Sequence, residues 1–223
     1  MPDDEIDFPL ADEQMLALAD GALFWPRART LFVADVHFGK DATFREQLRW
    51  VPPGTTTNDL ARLGRLIQRY RVERLVILGD AFHSESAHEN ETLNELREWR
   101  GSIEATIMLV EGNHDRRAGS IARELEFDRV ESGFSLPPFE LHHHPVDTPS
   151  KDYVLCGHVH PVVMARGGAR QRVRLRCFWA SAHACILPAF GGFTGGYTVR
   201  PARGDRVVLI ANGKALRAAR FST

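Results

Sequence analysis

The chain has 223 residues, 43% of them hydrophobic and 26% charged, which is the composition of one globular domain, 1–223, with a sizeable core. A formal net charge of −1 excludes the global basic field that gathers nucleic acid non-specifically. No stretch nears the ~20 apolar residues of a membrane span. The acidic start Met1-Pro2-Asp3-Asp4-Glu5 has no signal-like apolar core, and Cys156, Cys177 and Cys185 form no CxxC pair, which fits a reducing cytoplasm better than a disulfide framework.

Met15 to Leu18 and Ala22 to Trp25 flank Asp20-Gly21, the pattern of a hairpin. A third strand, Thr30 to Ala34, runs into Asp35-Val36-His37-Phe38-Gly39-Lys40. In an extended stretch residues i and i+2 point the same way, so Asp35 and His37 are expected to reach one ion together. After the break at Pro52-Pro53-Gly54, Thr56 to Asp59 has the spacing of a helix start, with Leu60, Leu63, Ile67 and Tyr70 on one apolar face. The run Arg74 to Leu78 reads as a buried, central, parallel strand and ends in Gly79-Asp80-Ala81-Phe82-His83. Ligands of open α/β sheets gather at such strand ends. Ser86 and Glu89 make a capping-box pattern for a helix that turns Leu93, Leu96 and Trp99 inward.

The next buried strand, Thr106 to Val110, delivers Gly112-Asn113-His114-Asp115. The Asn113 amide oxygen suits a hard or borderline cation. His114, pointing away from it in an extended segment, is left for acid–base work. A polar helix is expected over 118–126. Phe139 to Pro145 comes next as an extended segment containing His142, His143 and His144; one or two of these are candidate ligands and the rest face solvent. Tyr153 to Cys156 leads into Gly157-His158-Val159-His160-Pro161, an H-x-H at a strand end and a more specific metal signal than D-x-H. Cys156 reads as a small buried strand residue. The C-terminal third is rich in strands (Arg172 to Phe178, Ala184 to Leu187, Arg206 to Ala211, Ala215 to Phe221), with Asn212-Gly213 as a turn. The glycine-rich Leu187 to Gly196 lacks the Gly-Lys-Ser/Thr of a P-loop and reads as a turn packed beside the site.

The order D-x-H, G-D, G-N-H-D, H, G-H-x-H resembles the calcineurin-like metallophosphoesterases. That resemblance implies an α/β fold, the αββα sandwich of two mixed β-sheets flanked by helices. It also implies two divalent ions: Asp35, His37 and His160 on one, Asn113, His158 and His143 on the other, and Asp80 bridging. His143 is chosen from the triplet because it lies in phase with Phe139 and Leu141 and stands two residues before Pro145. Where most of the superfamily has G-D-x-x-D, this chain has His83, a form similar to the SbcD-type repair nucleases. The surroundings, Asp35 to Lys40 with Phe44-Arg45, Cys156 to Pro161 and Leu187 to Gly191, resemble the DNA-ligase-associated metallophosphoesterases. These are regarded as manganese-dependent phosphodiesterases or endonucleases that act in repair beside an ATP-dependent DNA ligase, a helicase and a nuclease.

The resemblance thus implies a metal-dependent phosphodiesterase acting on DNA, and an open, shallow site is expected to prefer single strands, whose backbone is flexible, to a stiff duplex. His114 would serve the leaving group, oriented by Asp115, with His83 in the catalytic set and Lys40, Arg45 and Asn113 contacting substrate. Carboxylate, amide and imidazole donors without thiolate suit Mn²⁺ or Fe²⁺, and Zn²⁺ would bind too. A phosphomonoesterase or cyclic-nucleotide phosphodiesterase of the same fold shares every ligand and differs at His83 and its flanks. A non-catalytic docking scaffold should have lost ligands or His114, and all are present.

Overall fold

A computed structural model describes residues 4–40, 54–83, 90–115, 121–147, 150–166, 172–192 and 194–218. The first sheet runs in chain order: β1 (Glu5–Asp7), β2 (Leu16–Leu18), β3 (Leu23–Trp25), β4 (Thr30–Val33), β5 (Arg74–Leu78), β6 (Thr106–Val110) and β7 (Phe127–Val130). Strands β1 to β4 pair antiparallel, and β4 to β7 parallel. The hairpin expected at Asp20-Gly21 is the β2–β3 pair.

The second sheet comprises β8 (Phe134–Leu136), β9 (Phe139–Leu141), β10 (Tyr153–Cys156), β11 (Pro161–Arg166), β12 (Arg172–Ala180), β13 (Ala184–Ile186), β14 (Tyr197–Thr198), β15 (Arg206–Ala211) and β16 (Lys214–Arg217). Its order is β14-β11-β12-β13-β10-β9-β8, with β15 beside β12 and β16 beside β15. Strand β11 was not among the expected elements, although Val162 to Ala165 is an apolar run. The last strand ends at Arg217, and the expected extension to Phe221 passes out of the described residues at 219.

The alternation along β5 explains the layering. Leu75 and Ile77 face a cluster built with the helices, whereas Val76 and Leu78 face Phe139, Leu141, Leu155 and Phe178 of the second sheet. Both faces of the strand are therefore dry, which is why it reads as an unbroken apolar run. The described helices, α1 (Thr55–Tyr70), α2 (Asn90–Gly101) and α3 (Ile121–Glu124), all contribute to the cluster on the outer face of the first sheet. Among them, α2 buries Leu93, Leu96 and Trp99 as expected. Its proposed cap, Ser86 and Glu89, lies outside the described residues, as do 116–120 ahead of α3.

Helix α1 starts at Thr55, within a residue of the expected start, but by other means. Thr56 and Asp59 do not cap their own helix, which begins after Gly54 without a side-chain cap. Thr56 Oγ1 accepts the Gly39 N–H at 3.1 Å, and Asp59 Oδ2 accepts that of Gly192 at 3.0 Å. Residues that look like a local cap are spent on holding loops of the cleft. Among the described residues, no helix is long and apolar enough to cross a membrane.

Candidate metal centre

Strands β4, β5 and β6 end side by side, and the turns at their ends form the floor of a cleft. Asp35 N–H donates to Gly79 O at 3.1 Å, His37 N–H to Asp80 O at 2.9 Å and Phe38 N–H to Ala81 O at 2.7 Å. The two turns are zipped together by these bonds. Asp35, His37 and Asp80 have φ of 53°, 54° and 50°, so the D-x-H pair is not an extended stretch as expected. Both residues adopt the left-handed region, a conformation that costs a non-glycine residue of order 1–3 kcal/mol and persists where the surroundings enforce it. His158 and His160, with φ of 66° and 49°, repeat the pattern across the cleft. His114 likewise lies in a turn rather than an extended segment, and His142 to His144 come after β9 instead of lying within it.

Buried carboxylates fasten the turns to one another. Asp35 Oδ2 accepts the His158 N–H at 2.8 Å, and Asp80 Oδ1 accepts the His114 N–H at 3.0 Å. Asp115 accepts two, from Phe82 at 3.1 Å and Gly112 at 3.0 Å. Burial pushes the Asp115 carboxyl up to about 6, against the pull of those N–H donors. The expected role of Asp115 is thereby corrected: its oxygens are occupied by backbone, and it shapes the loop rather than orienting the His114 ring. The group that faces His114 Nδ1 is the carbonyl oxygen of His83, at 2.9 Å.

That contact is one of three alike. His143 Nδ1 faces Leu78 O at 3.0 Å and His160 Nδ1 faces Gly195 O at 3.2 Å. A carbonyl only accepts, so in each ring Nδ1 carries the proton and Nε2 presents a lone pair to the cleft. This is how ligating histidines are held elsewhere. His143 Nε2 is left 3.5 Å from Asp80 Oδ1 and 3.2 Å from His158 Nδ1; His160 Nε2 is 3.3 Å from Asp35 Oδ1. Asp35 Oδ1 and His37 Nδ1 are buried without a hydrogen-bond partner. Converging donors of this kind are costly unless a cation lies among them.

The described residues form three groups able to hold an ion: Asp35, His37 and His160; Asp35, Asp80 and His143; and His143, His144 and His158. Asp80 lies between the sides, with Oδ2 4.0 Å from His37 Nε2 and Oδ1 toward His143. Asn113 joins the latter side, its Oδ1 3.1 Å from His143 Nε2. His83 and His114 stack, with centroids 5.4 Å apart and planes at 16°. Both rings lie 5.4 Å from that of His37. Burial, then Lys40, lowers His37 to about 2, and the same causes in the same order, with His114 third, lower His83 to about 4. Burial also lowers the Lys40 ammonium, while Asp35 and Asp80 pull it back up, so Lys40 is within reach of the carboxylates. Burial opposes charge on His160, but the Asp35 carboxylate and the Gly195 carbonyl outweigh it and raise the group. Arg45 lies outside the described residues.

Reading the sequence residue by residue missed the support behind Asp35. Phe190 N–H donates to Ala34 O at 2.8 Å and Gly191 N–H to Asp35 O at 3.2 Å. Arg62 of α1 donates to Phe190 O, Arg176 of β12 to Ala189 O at 3.0 Å. A Cβ at Gly191 would run into the carbonyl oxygen of Val36, so only glycine permits this approach. The glycine-rich segment therefore packs beside the site, as expected of it. Similarly, a Cβ at Gly79 would enter the His143 ring. Cys156 is fully buried in β10 with its thiol toward Cys185 O, and it belongs to none of the ligand groups among the described residues.

A sequence model of the calcineurin-like phosphoesterase family matches residues 28–147, more than half of the chain. No curated protein matches. Among solved structures, the Pseudomonas putida nuclease MPE is 38% identical, covers 96% of this chain and 100% of its own, and superposes with a TM-score of 0.83. Yfce, a phosphoesterase from E. coli, is 18% identical over 82% of this chain and 88% of its own, with a TM-score of 0.42.

Proposed function

Because the chain belongs to the calcineurin-like phosphoesterase family and is a metal-dependent phosphoesterase, we propose that it is a two-metal phosphodiesterase that cuts DNA, single strands before duplex. The observation that carries this reading is the stacked pair His83 and His114 beside Asp80, where the commoner superfamily pattern would set an aspartate in place of His83. Similarity to a nuclease over 96% of the chain supports it.

Asp35, His37 and His160 would hold one ion, Asn113, His143 and His158 the other, with Asp80 shared. Two divalent ions held there would neutralise a phosphodiester and lower the pKa of a bound water. The rest of the chemistry falls to the chain. His114, its Nδ1 proton given to the His83 carbonyl, turns Nε2 toward the cleft, 3.9 Å from Asp80 Oδ2. In its imidazolium form, with Nδ1–H still on that carbonyl, it would give the Nε2 proton to the leaving oxygen and return to the neutral ring. His83, held neutral by burial, accompanies the second nucleoside without the repulsion a carboxylate would impose on a phosphate. Lys40 and Arg45 meet the flanking phosphates. Manganese is the proposed resident metal, in line with a donor set of carboxylate, amide and imidazole. In this reading the enzyme works in the cytoplasm, in repair, with an ATP-dependent ligase and its companion helicase and nuclease.

The test is hydrolysis with Mn²⁺ of single-stranded, duplex, nicked and gapped DNA, RNA, a simple diester, a monoester and cyclic nucleotides. Wild type should favour DNA, and His83→Asp should lower the ratio of diester to monoester turnover while keeping its metal. Faster monoester than DNA hydrolysis by wild type, or an unchanged ratio in the variant, would return the phosphatase reading.

A further inference from the structure

Three imidazoles crowd together between the interior and the rim of the cleft, His143 buried and His144 and His158 exposed. The ring centroids of His143 and His144 lie 4.6 Å apart, those of His144 and His158 3.9 Å, and those of His143 and His158 4.9 Å. One ligand atom of each lies within 4.8 Å of the other two. His143 and His158 are already assigned to the second ion, whereas the sequence left His144 facing solvent. We propose, on the basis of the two-ion reading, that His144 is a further ligand of the second ion and makes that position the nitrogen-rich half of the centre.

Placement and donor chemistry agree on this. Adjacent residues usually diverge, yet the bend after β9 brings the His143 and His144 rings into contact and lays His144 against His158. Three imidazole donors gathered with Asp80 and Asn113 favour borderline metals such as Zn²⁺ more than do the two imidazoles and two carboxylates around Asp35. His144 and His158 are both exposed, so an ion held there meets solvent and exchanges, while the Asp35 side is closed. The identity of the second metal would then be decided at His144, a residue outside the expected ligand set.

The full chain, stripped of metal by a chelator, is titrated calorimetrically with Mn²⁺ and separately with Zn²⁺, as wild type and as His144→Ala. Wild type should bind two ions. In the variant the tighter event should be unchanged and the second should weaken for Zn²⁺ by roughly 10-fold or more, the scale on which even outer partners of a metal act, and by less for Mn²⁺. The unfolding temperature of the metal-free protein should not move, because the side chain is exposed. Two ions with unaltered affinities, accompanied by a raised KM for a diester, would overturn the proposal and make His144 a phosphate contact. Equal weakening of both events would overturn it in favour of a structural role. A single ion per wild-type chain would overturn the two-ion reading and this inference together.

Discussion

The two sides of the cleft are made of unlike material. On the side of β4 and β5, Asp35, His37 and Asp80 are 0%, 5% and 3% exposed, their turns zipped by backbone bonds and clamped from behind by the glycine-rich segment. On the opposite rim, His144 and His158 lie at the surface. Buried carboxylates are costly to desolvate and need both scaffolding and a compensating cation. Neutral imidazoles carry no such penalty and tolerate exposure. On the proposed reading the closed side would hold affinity and the open side would leave room for a substrate strand, with left-handed backbone at ligand positions of both, Asp35, His37 and Asp80 on one and His158 on the other. Metal binding should then stabilise the fold, by about 2.7 kcal/mol per site at one hundred times its Kd.

The strongest way to break this contrast is at the residue that belongs to both sides. Asp80→Asn removes the negative charge at the shared position and should release both ions and abolish turnover. It should leave the metal-free protein at least as stable as wild type, since a buried charge is removed. Metal analysis and thermal unfolding with and without chelator decide it, and two tightly held ions in an active variant would sink the assignment. Next in size is His114→Ala. If that side chain serves the leaving group and not an ion, as proposed, metal content should stay and turnover should fall about 10²–10⁴-fold. A nitrophenyl diester, whose leaving group needs little protonation, should recover most of the loss. Equal losses with good and poor leaving groups would argue against the acid role.

A smaller change sharpens the contrast from behind the closed side. Gly191→Ala forces a Cβ against Val36 O and should cost about 1–3 kcal/mol, the scale of overpacking. The displaced segment bonds to Ala34 and Asp35, so the ion held by Asp35, His37 and His160 should loosen more than its neighbour. Comparable loosening of both in a calorimetric titration would mean that the segment supports the fold at large and not this turn.

The strands and the residues at their ends were legible because buried parallel strands are apolar runs that stop abruptly, and polar residues at the stop have few other uses. Backbone conformation there was not legible. The left-handed turns at Asp35 and His37 depend on partners in the β5 loop some 45 positions on, and no local propensity announces them. The helix start read at Thr56 to Asp59 is there, at Thr55, but the use of Asp59 was not legible, since its carboxylate is committed to Gly192 across the fold. The orienting acceptor for His114 is a main-chain carbonyl, which side-chain identity cannot signal, so the adjacent Asp115 looked like the partner. The choice of His143 from the triplet rested on the phase of Phe139 and Leu141, and that residue is the fully buried one.

The smallest expected effect lies on the border between the two sides. Cys156 stands one residue before Gly157-His158, close enough in sequence to be suspected as a thiolate ligand. Its thiol is fully buried, points to Cys185 O at 3.9 Å, and burial, followed by the charge of Asp35, pushes it up to about 12. A thiol so raised stays protonated at neutral pH and is a poor ligand and nucleophile. Cys156→Ala should therefore leave both metal affinities where they are and cost about 1 kcal/mol of stability, the small cavity a lost sulfur leaves. In the native fold none of the three cysteines, all buried, should react with a thiol reagent on the timescale of a denatured control. Loss of an ion in Cys156→Ala, or rapid labelling that metal suppresses, would bring sulfur into the centre and shift the preferred metal toward Zn²⁺.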